Sequence, residues 1–389
     1  MITLLKSGEV YAPDYLGQKD ILTAGGKIAA IEDNIELPNS FNDHIEVYDA
    51  AGKIIIPGLI DGHVHITGGG GEGSFKTRTP ELMLSDCVKG GITTVVGVIG
   101  TDGSTRTMTN LIAKAKGLTE EGITCYCLSG NYHVPVKTVT GSVETDIILI
   151  HEVIGTGEIA IADHRSSQPA LQELARLSSE SRIGGLLAGK GGAVVVHVGD
   201  SRQRLTLLEK LVEKTDIPIS QFIPTHINRN RELLKAGIEY GKRGGYIDLT
   251  TSSVHGEDNE LSSSKCLKKL LDSGVDISRI SFTSDGQGSL PKFNSYGELT
   301  GMEVGRVTSL FQEVRNAFLK EGVTMEDAVR TATSNPAEML KLTEKGRIEA
   351  GKDADFALLD RTDYSVSGVI ALGKWMMKEK EIIKKGTFE

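Results

Sequence analysis

Two kinds of hydrophobic spacing divide this chain. From residue 54 to about residue 332, short apolar runs rich in Ile and Val alternate with longer stretches of helical spacing. Apolar runs of this length, bounded by turn residues, read as buried strands. Strands are predicted over 54–60, 92–99, 123–129, 157–162, 193–198, 219–226, 246–251 and 280–284. Helices fit between them over 80–90, 105–121, 143–154, 168–179, 202–214, 230–242 and 264–273, with a last one over 300–320. Eight such units over roughly 280 residues have the size and rhythm of a (β/α)8 TIM barrel. A doubly wound open sheet is the alternative, but it gives no reason for eight. Thr79-Pro80-Glu81 predicts a capped helix start with Pro at its first position. Thr324-Met325-Glu326-Asp327 predicts another, and Ser334-Asn335-Pro336 a break and restart.

Both ends of the chain lack helical spacing. The runs near 10–14, 20–23 and 27–31 are β-rich, and Gly25-Gly26 joins the last two as a hairpin signal. After Lys345 the texture becomes β again. The expected organisation is an α/β chain: a barrel over 54–344 and a small β-sandwich domain built from 1–53 and 345–389.

Composition narrows the function classes. A net charge of −9 argues against a nucleic-acid or anionic-membrane surface. No window approaches the ~18 apolar residues of a membrane span. The first residues, Met1 to Glu9, have no long apolar core of the kind a secretory leader needs, so a cytoplasmic protein is expected. Cys87, Cys125, Cys127 and Cys266 form no Cys-x-x-Cys pair and are expected as buried thiols.

Candidate chemistry collects at strand ends, where barrel enzymes carry their active residues. His63 and His65 lie two apart on the first strand, so both imidazoles point to one face. His197 ends the fifth strand and His226 the sixth, and Asp285 follows the eighth. His44, His133, His151, His164 and His255 do not share this placement as a group, although His133 and His164 fall near it. Four imidazoles and a carboxylate suit one or two zinc-like divalent ions, and two ions held ~3.5–4 Å apart need a bridging ligand.

The pattern His63-Val64-His65, His197, His226 and Asp285, with the split β domain and Gly351-Lys352-Asp353-Ala354-Asp355, resembles the amidohydrolase superfamily. Local wording is similar to its isoaspartyl (β-aspartyl) dipeptidase family. The stretches that carry this are Gly68 to Gly73, Asn131-Tyr132-His133-Val134-Pro135, Ala162-Asp163-His164-Arg165-Ser166, Thr225 to Asn230 and Ser284 to Ser289. The resemblance implies a binuclear metallopeptidase that hydrolyses β-aspartyl dipeptides, with two divalent ions per chain, zinc favoured by the nitrogen-rich ligands. His63, His65 and Asp285 would hold one ion and His197 and His226 the other. Asp285 would take a proton from the attacking hydroxide and pass it to the leaving amine. Tyr132 would donate to the developing oxyanion. Glu72 would meet the substrate ammonium, and Arg165 and Arg229 its carboxylates. Gly70, Thr101 and Ser289 would complete the substrate site.

One departure stands out. The better-known isoaspartyl dipeptidases carry a lysine on strand four, five residues before the Asp of Asp-His-Arg-Ser, carboxylated to bridge the metals; in some amidohydrolases Glu is the bridge. That position here is Glu158, and no lysine lies between Lys137 and Lys190. Glu158 brings a carboxylate of the same charge on a side chain about three atoms shorter, so the backbone must approach more closely. Gly155 and Gly157 would permit this, or a bulge.

Two other readings remain open at this point: another amidohydrolase, acting on a cyclic amide or an N-acyl amino acid, and a metal-free, non-enzymatic paralogue. The expected partners are a small dipeptide and further copies of the chain in a homo-oligomer. No nucleic acid and no membrane is expected. Loops 252–264 and 286–298 are polar and Ser/Gly-rich, and either could close over substrate.

Overall fold

The run Ile54-Ile55-Ile56 is buried but does not belong to the barrel. In the computed structural model, which describes residues 2–37, 44–252, 261–293 and 299–389, strand Lys53–Pro57 pairs antiparallel with Phe356–Asp360 and parallel with Ile2–Tyr11. The chain then turns at Gly58, whose N–H donates to the Asp355 carbonyl at 2.9 Å. The first barrel strand is Leu59–Val64. The strand expected over 54–60 is therefore two strands in two sheets, and the crossing from one to the other lies at Gly58. Both halves are buried on both faces, so the apolar run carries no period that would separate them.

Among the described residues the small sheet has nine strands. In spatial order they run Glu381–Ile382, Lys374–Lys378, Val366–Ala371, Phe356–Asp360, Lys53–Pro57, Ile2–Tyr11, Tyr15–Ala24 and Lys27–Glu32, with Glu46–Asp49 beside Ile2–Tyr11. Its core is its own, with Leu5, Val10, Ile21, Ile28, Ile55, Phe356 and Leu358 fully or almost fully buried. The Gly25-Gly26 turn joins Tyr15–Ala24 to Lys27–Glu32 with positive φ at both glycines, the conformation a two-residue hairpin loop needs.

The remaining barrel strands are Ile92–Gly97, Thr124–Ser129, Val153–Ile161, Ala193–Val198, Phe222–Thr225, Ile247–Thr250 and Ile280–Thr283. The first six of the eight form one parallel sheet and the last two a parallel pair. The ring closes from the eighth strand to the first through a parallel bridge between Val64 and Gly286 and a His65 N–H bond to the Gly286 carbonyl at 2.8 Å. The sixth and seventh strands are joined by side chains: the buried Asp248 accepts from Thr225 Oγ1 at 2.6 Å, and also from Ser281 and Thr283 of the eighth. Burial lifts the Asp248 carboxyl to about 6 against these three donors.

Helices lie between the strands as expected, with four differences. The helix expected over 80–90 spans Leu84–Lys89, and its N-cap is Met83. Thr79 does not cap it. Its Oγ1 instead accepts from the Gly69 N–H at 2.6 Å and lies 2.5 Å from the Gln287 carbonyl, so tertiary partners take over the cap residue. The helix expected over 143–154 stops at Leu149. The one expected over 168–179 runs over Leu171–Ala188, through Gly184 and Gly185. A Cβ at either would meet backbone, Glu144 O at 3.0 Å or Gly192 Cα at 2.7 Å, so these glycines serve close packing and do not break the helix. The helix expected over 300–320 begins only at Ser309, because Leu299–Val304 pairs antiparallel with Ser289–Phe293. Thr324 caps Met325–Arg330 by accepting from the Asp327 N–H, and Ser334–Met339 restarts as expected. All four cysteines are buried and free.

A buried cation ties the two units together. Lys345 Nζ lies 2.7 Å from Asp355, 2.9 Å from Asp353 and 2.6 Å from Thr124 Oγ1 at the start of the third barrel strand. Burial opposes its charge, but Asp355 and Asp353 outweigh it and raise the Lys345 pKa. Burial likewise opposes the Asp353 charge, and Lys345 and Lys27 hold that carboxyl below its ordinary value. Lys345→Met should cost about 3–5 kcal/mol, because it leaves the buried Asp355 without its cation and Asp353 with Lys27 alone. Asp353 has a depressed folded pKa, so its contribution is present above its unfolded pKa of about 3.9 and lost as the pH falls through the native value. Urea unfolding of both proteins should therefore show the full gap near pH 7 and a narrowing one below about pH 4. An equal gap at both pH values would contradict this account.

Candidate active site

Each candidate ligand sits on or just past a barrel strand, and the local backbone aims it. His63 lies within Leu59–Val64, and His65 is the residue after it. His197 is the next-to-last residue of Ala193–Val198. His226 and Asp285 follow their strands with φ of 64° and 53°, a left-handed conformation uncommon outside glycine that turns the side chain back over the strand end. Glu158 differs, because it lies inside Val153–Ile161. There the pairing to the fifth strand steps from Val194↔Thr156 to Val196↔Ile159, three residues against two. That extra residue is a bulge, and Glu158 is in it. Gly157 has φ 153°, and a Cβ on it would meet the Val195 carbonyl at 2.9 Å and Val195 Cβ at 3.0 Å. The backbone thus approaches its neighbour at the place where a short carboxylate must reach the barrel axis.

The bulge puts Glu158 at the centre of four imidazoles. Its oxygens lie 3.2 Å from His63 Nε2, 3.6 Å from His65 Nε2, 3.3 Å from His197 Nδ1 and 3.7 Å from His226 Nε2. Asp285 Oδ1 is 3.1 Å from His65 Nε2 and 3.9 Å from His63 Nε2. Among the described residues two groups have donor atoms close enough to share a cation: His63, His65 and Asp285, and His63, Glu158 and His226. The chemistry of the site fits a metal. Both His63 nitrogens, His65 Nδ1, Glu158 Oε1 and Asp285 Oδ1 are buried without a hydrogen-bond partner, a costly condition for so many polar atoms in one place.

Electrostatics point the same way. Burial would neutralise Glu158, yet the charge of His63 and bonds from His197, His226 and His63 hold its carboxyl well below the usual range. Asp285 is also lowered: burial opposes its charge, and the bond from His65 and the surrounding imidazoles prevail. Burial opposes a charge on His63, but Glu158 and Asp285 lift its pKa to about 9. His226 is pushed down to about 3 by burial, with the Arg229 and His197 charges adding to it. The carboxylates hold their negative charge and draw positive charge to the centre.

The expected substrate residues gather beside this cluster. Glu72 accepts from Thr101 Oγ1 at 3.1 Å, Ser289 Oγ at 3.4 Å and Arg165 Nη1 at 3.1 Å. Arg165 also lies over the Tyr132 ring, 5.3 Å from its centroid. Tyr132 Oη is 2.8 Å from His197 Nδ1, and burial keeps its hydroxyl protonated. Gly70 bridges to Arg78 within the glycine loop. Arg229 donates Nε to the Val198 carbonyl at 3.1 Å, and its charge acts on Tyr132 and His226. Of the loops expected to close, 253–260 and 294–298 lie outside the described residues, and the rest of 286–298 contributes a strand to the hairpin. His255 also lies outside them. His133 Nε2 is 3.1 Å from the Arg165 carbonyl, and His164 is exposed with Nδ1 3.6 Å from Asp163.

Sequence reasoning missed several supporting residues. Arg106 donates to the carbonyls of Thr67 and Gly69 at 3.2 and 2.8 Å and so clamps the glycine loop that carries Glu72. Thr250 Oγ1 lies 2.7 Å from His226 Nδ1 and leaves Nε2 to face Glu158. Asp61 accepts from the Ser284 N–H at 3.0 Å across the closing seam, and burial raises its carboxyl to about 7. Asp163 accepts from both Arg165 and His197. Only Asp163 had a visible signal, its place two residues before Arg165 just past a strand end.

Comparison with known proteins agrees with this arrangement. Residues 54–376 match the sequence profile of the amidohydrolase family. The crystal structure of a β-aspartyl dipeptidase from the keratin-degrading thermophile Fervidobacterium islandicum AW-1, in complex with β-Asp-Leu dipeptide, is 43% identical with a TM-score of 0.90, covering 98% of each chain. A dihydroorotase from Ligilactobacillus salivarius is 23% identical over 99% of this chain and 93% of its own. An allantoinase from Enterococcus faecalis is 25% identical over 92% of this chain and 85% of its own.

The bulge generates a prediction. Gly157→Ala should destabilise the fold by about 2 kcal/mol and displace Glu158 from the imidazoles. Thermal unfolding and metal uptake of the variant check this, and unchanged values in both would show that the close approach is not required.

Proposed function

We propose, from the premise that this chain belongs to the amidohydrolase family, that it is a binuclear metallopeptidase cleaving β-aspartyl dipeptides. One observation carries this reading: Glu72 and Arg165, opposite charges 3.1 Å apart, stand beside a carboxylate ringed by four imidazoles. A β-aspartyl dipeptide is a small amide with an ammonium at one end and carboxylates on both sides of its isopeptide bond. That charge pattern matches Glu72 for the ammonium and Arg165 and Arg229 for the carboxylates. The 43% identity to an enzyme solved with β-Asp-Leu supports the same substrate.

The residues divide the work. His63, His65 and Asp285 would hold one ion, His197 and His226 the other, and Glu158 would lie between them. Two divalent ions bound there, zinc in our reading, would polarise the scissile carbonyl and bring water's pKa toward neutrality. Asp285 stays ionised and close to His65, which suits a group that takes a proton from the attacking water and returns it to the departing amine nitrogen. Cleavage of the carbonyl carbon–nitrogen bond then leaves aspartate and a free amino acid. Tyr132 keeps its proton and can donate to the carbonyl oxygen as charge develops there, an effect of about 2.7–4 kcal/mol for one donor.

A cyclic-amide hydrolase is the second reading, favoured by the dihydroorotase and allantoinase relatives. It shares the metals, and dihydroorotate would offer Arg165 a carboxylate, but it has no ammonium for Glu72. Zinc-loaded protein should hydrolyse β-Asp-Leu and leave α-Asp-Leu, dihydroorotate and N-acetyl amino acids nearly untouched. Turnover of dihydroorotate without turnover of β-Asp-Leu would favour the second reading.

The bridge is tested separately. Glu158→Ala should lose at least one of two ions by elemental analysis and most of the activity. Wild-type activity should not respond to added bicarbonate, because Glu158 cannot form a carbamate. A strong bicarbonate requirement would contradict Glu158 as the bridge.

A further inference from the structure

We infer that Asp163 is a positioning residue that fixes the metal-facing tautomer of His197 and, with the same carboxylate, the substrate-facing pose of Arg165. The inference rests on the peptidase reading above. Asp163 is 5% exposed and stands two residues past the end of strand Val153–Ile161. Its Oδ2 is 3.0 Å from His197 Nε2 and 2.7 Å from Arg165 Nη2. Its Oδ1 accepts from Arg165 Nε at 3.0 Å and from the Arg165 backbone N–H at 2.8 Å. The carboxylate therefore grips the guanidinium through two nitrogens and has one lone pair left for the imidazole. The Asp163 backbone is pinned as well: its carbonyl accepts from Ser166 N at 3.1 Å and Gln168 Nε2 at 2.8 Å.

The geometry constrains His197 in one direction. With Asp163 able only to accept, Nε2 is the nitrogen that would carry the proton in the loaded site, and Nδ1, 3.3 Å from Glu158 and 2.8 Å from Tyr132 Oη, is the one that would face an ion. A carboxylate behind a metal-ligating imidazole fixes the ring and raises its basicity. His226 has a neutral hydroxyl, Thr250 Oγ1, in the equivalent place. The two imidazoles assigned to one ion thus differ in the charge of their support. On the other side, the grip on Nε and Nη2 leaves Arg165 Nη1 toward Glu72 at 3.1 Å. Asp163 is the joint between the ion's ligand and the group that meets the substrate carboxylate.

Substitution of this joint should disturb two measurements together. Wild type, Asp163→Asn, Asp163→Glu and Arg165→Met are prepared as full chains, stripped of metal and titrated with Co2+ against a competing chelator. Asp163→Asn should bind one of two cobalt ions roughly 10–100-fold more weakly, shift the visible cobalt spectrum, and raise KM for β-Asp-Leu. Arg165→Met should raise KM with a much smaller change in cobalt affinity than Asp163→Asn. Asp163→Glu should recover part of the cobalt affinity. Wild-type cobalt affinity and spectrum in Asp163→Asn would overturn the inference. Wild-type protein that binds cobalt but does not cleave β-Asp-Leu would overturn the peptidase reading instead, and the cobalt titration would still decide the role of Asp163.

Discussion

A carboxylate buried at the axis of a β-barrel is stable only if something positive answers it. Glu158 is 1% exposed, and its neighbours along the strand are apolar or glycine. Leaving such a charge uncompensated costs several kcal/mol, more than most domains can lose without serious destabilisation. The four imidazoles of His63, His65, His197 and His226 come from the first, fifth and sixth strands or their ends, so compensation requires the barrel to close. The dependence also runs the other way. Without Glu158 the four imidazoles would lose the carboxylate on which they converge, and His63 the strongest of the groups that raise its pKa.

That constraint reaches back into the backbone. A lysine at position 158 could reach the axis from a regular strand, whereas a glutamate needs the strand to move inward. The bulge at Gly157 and Glu158 does this, and the glycine is what lets Val195 remain where it is. The bulge takes up one residue of register, and the strand resumes its pairing at Ile159 and Ala160. The centre and the sheet that carries it are one structural problem with one solution.

Much of this was legible in the residues, for identifiable reasons. Strand ends were marked by polar residues that closed apolar runs, which is why His63, His197, His226 and Asp285 stood out. Glu158 was harder, because it lies inside its strand and breaks the rule that active residues sit at strand ends. It was reached through resemblance and the absence of any lysine nearby. Errors came where tertiary contacts override local signals. Thr79 looked like a helix cap and instead fastens the glycine loop. The helix expected over 168–179 continues to Ala188, and Gly184 within it allows the close approach of the helix Val143–Leu149. The split at Gly58 and the hairpin at Leu299–Val304 were hidden because pairing partners lie far away in sequence. Supporting groups such as Arg106, Thr250 and Asp61 had no local signature, since each acts through a residue distant in the chain.

The signs of the charges explain why centre and substrate groups act as a unit. From the loop inward, Glu72, Arg165, Asp163, His197 and Glu158 follow one another in contact, each charged group beside one of opposite sign or beside an imidazole. The outer pair, Glu72 and Arg165, is part-exposed, whereas Asp163, His197 and Glu158 are buried, so coupling between neighbours strengthens inward along the chain. A ligand that draws Arg165 or Glu72 toward its own charges alters what Asp163 must balance, and Asp163 shares a hydrogen bond with His197. Substrate charge and ligand orientation are therefore linked through contacts of 2.7 to 3.3 Å. A cyclic amide brings no ammonium to Glu72, whereas a β-aspartyl dipeptide, with an ammonium and carboxylates, can engage both Glu72 and Arg165.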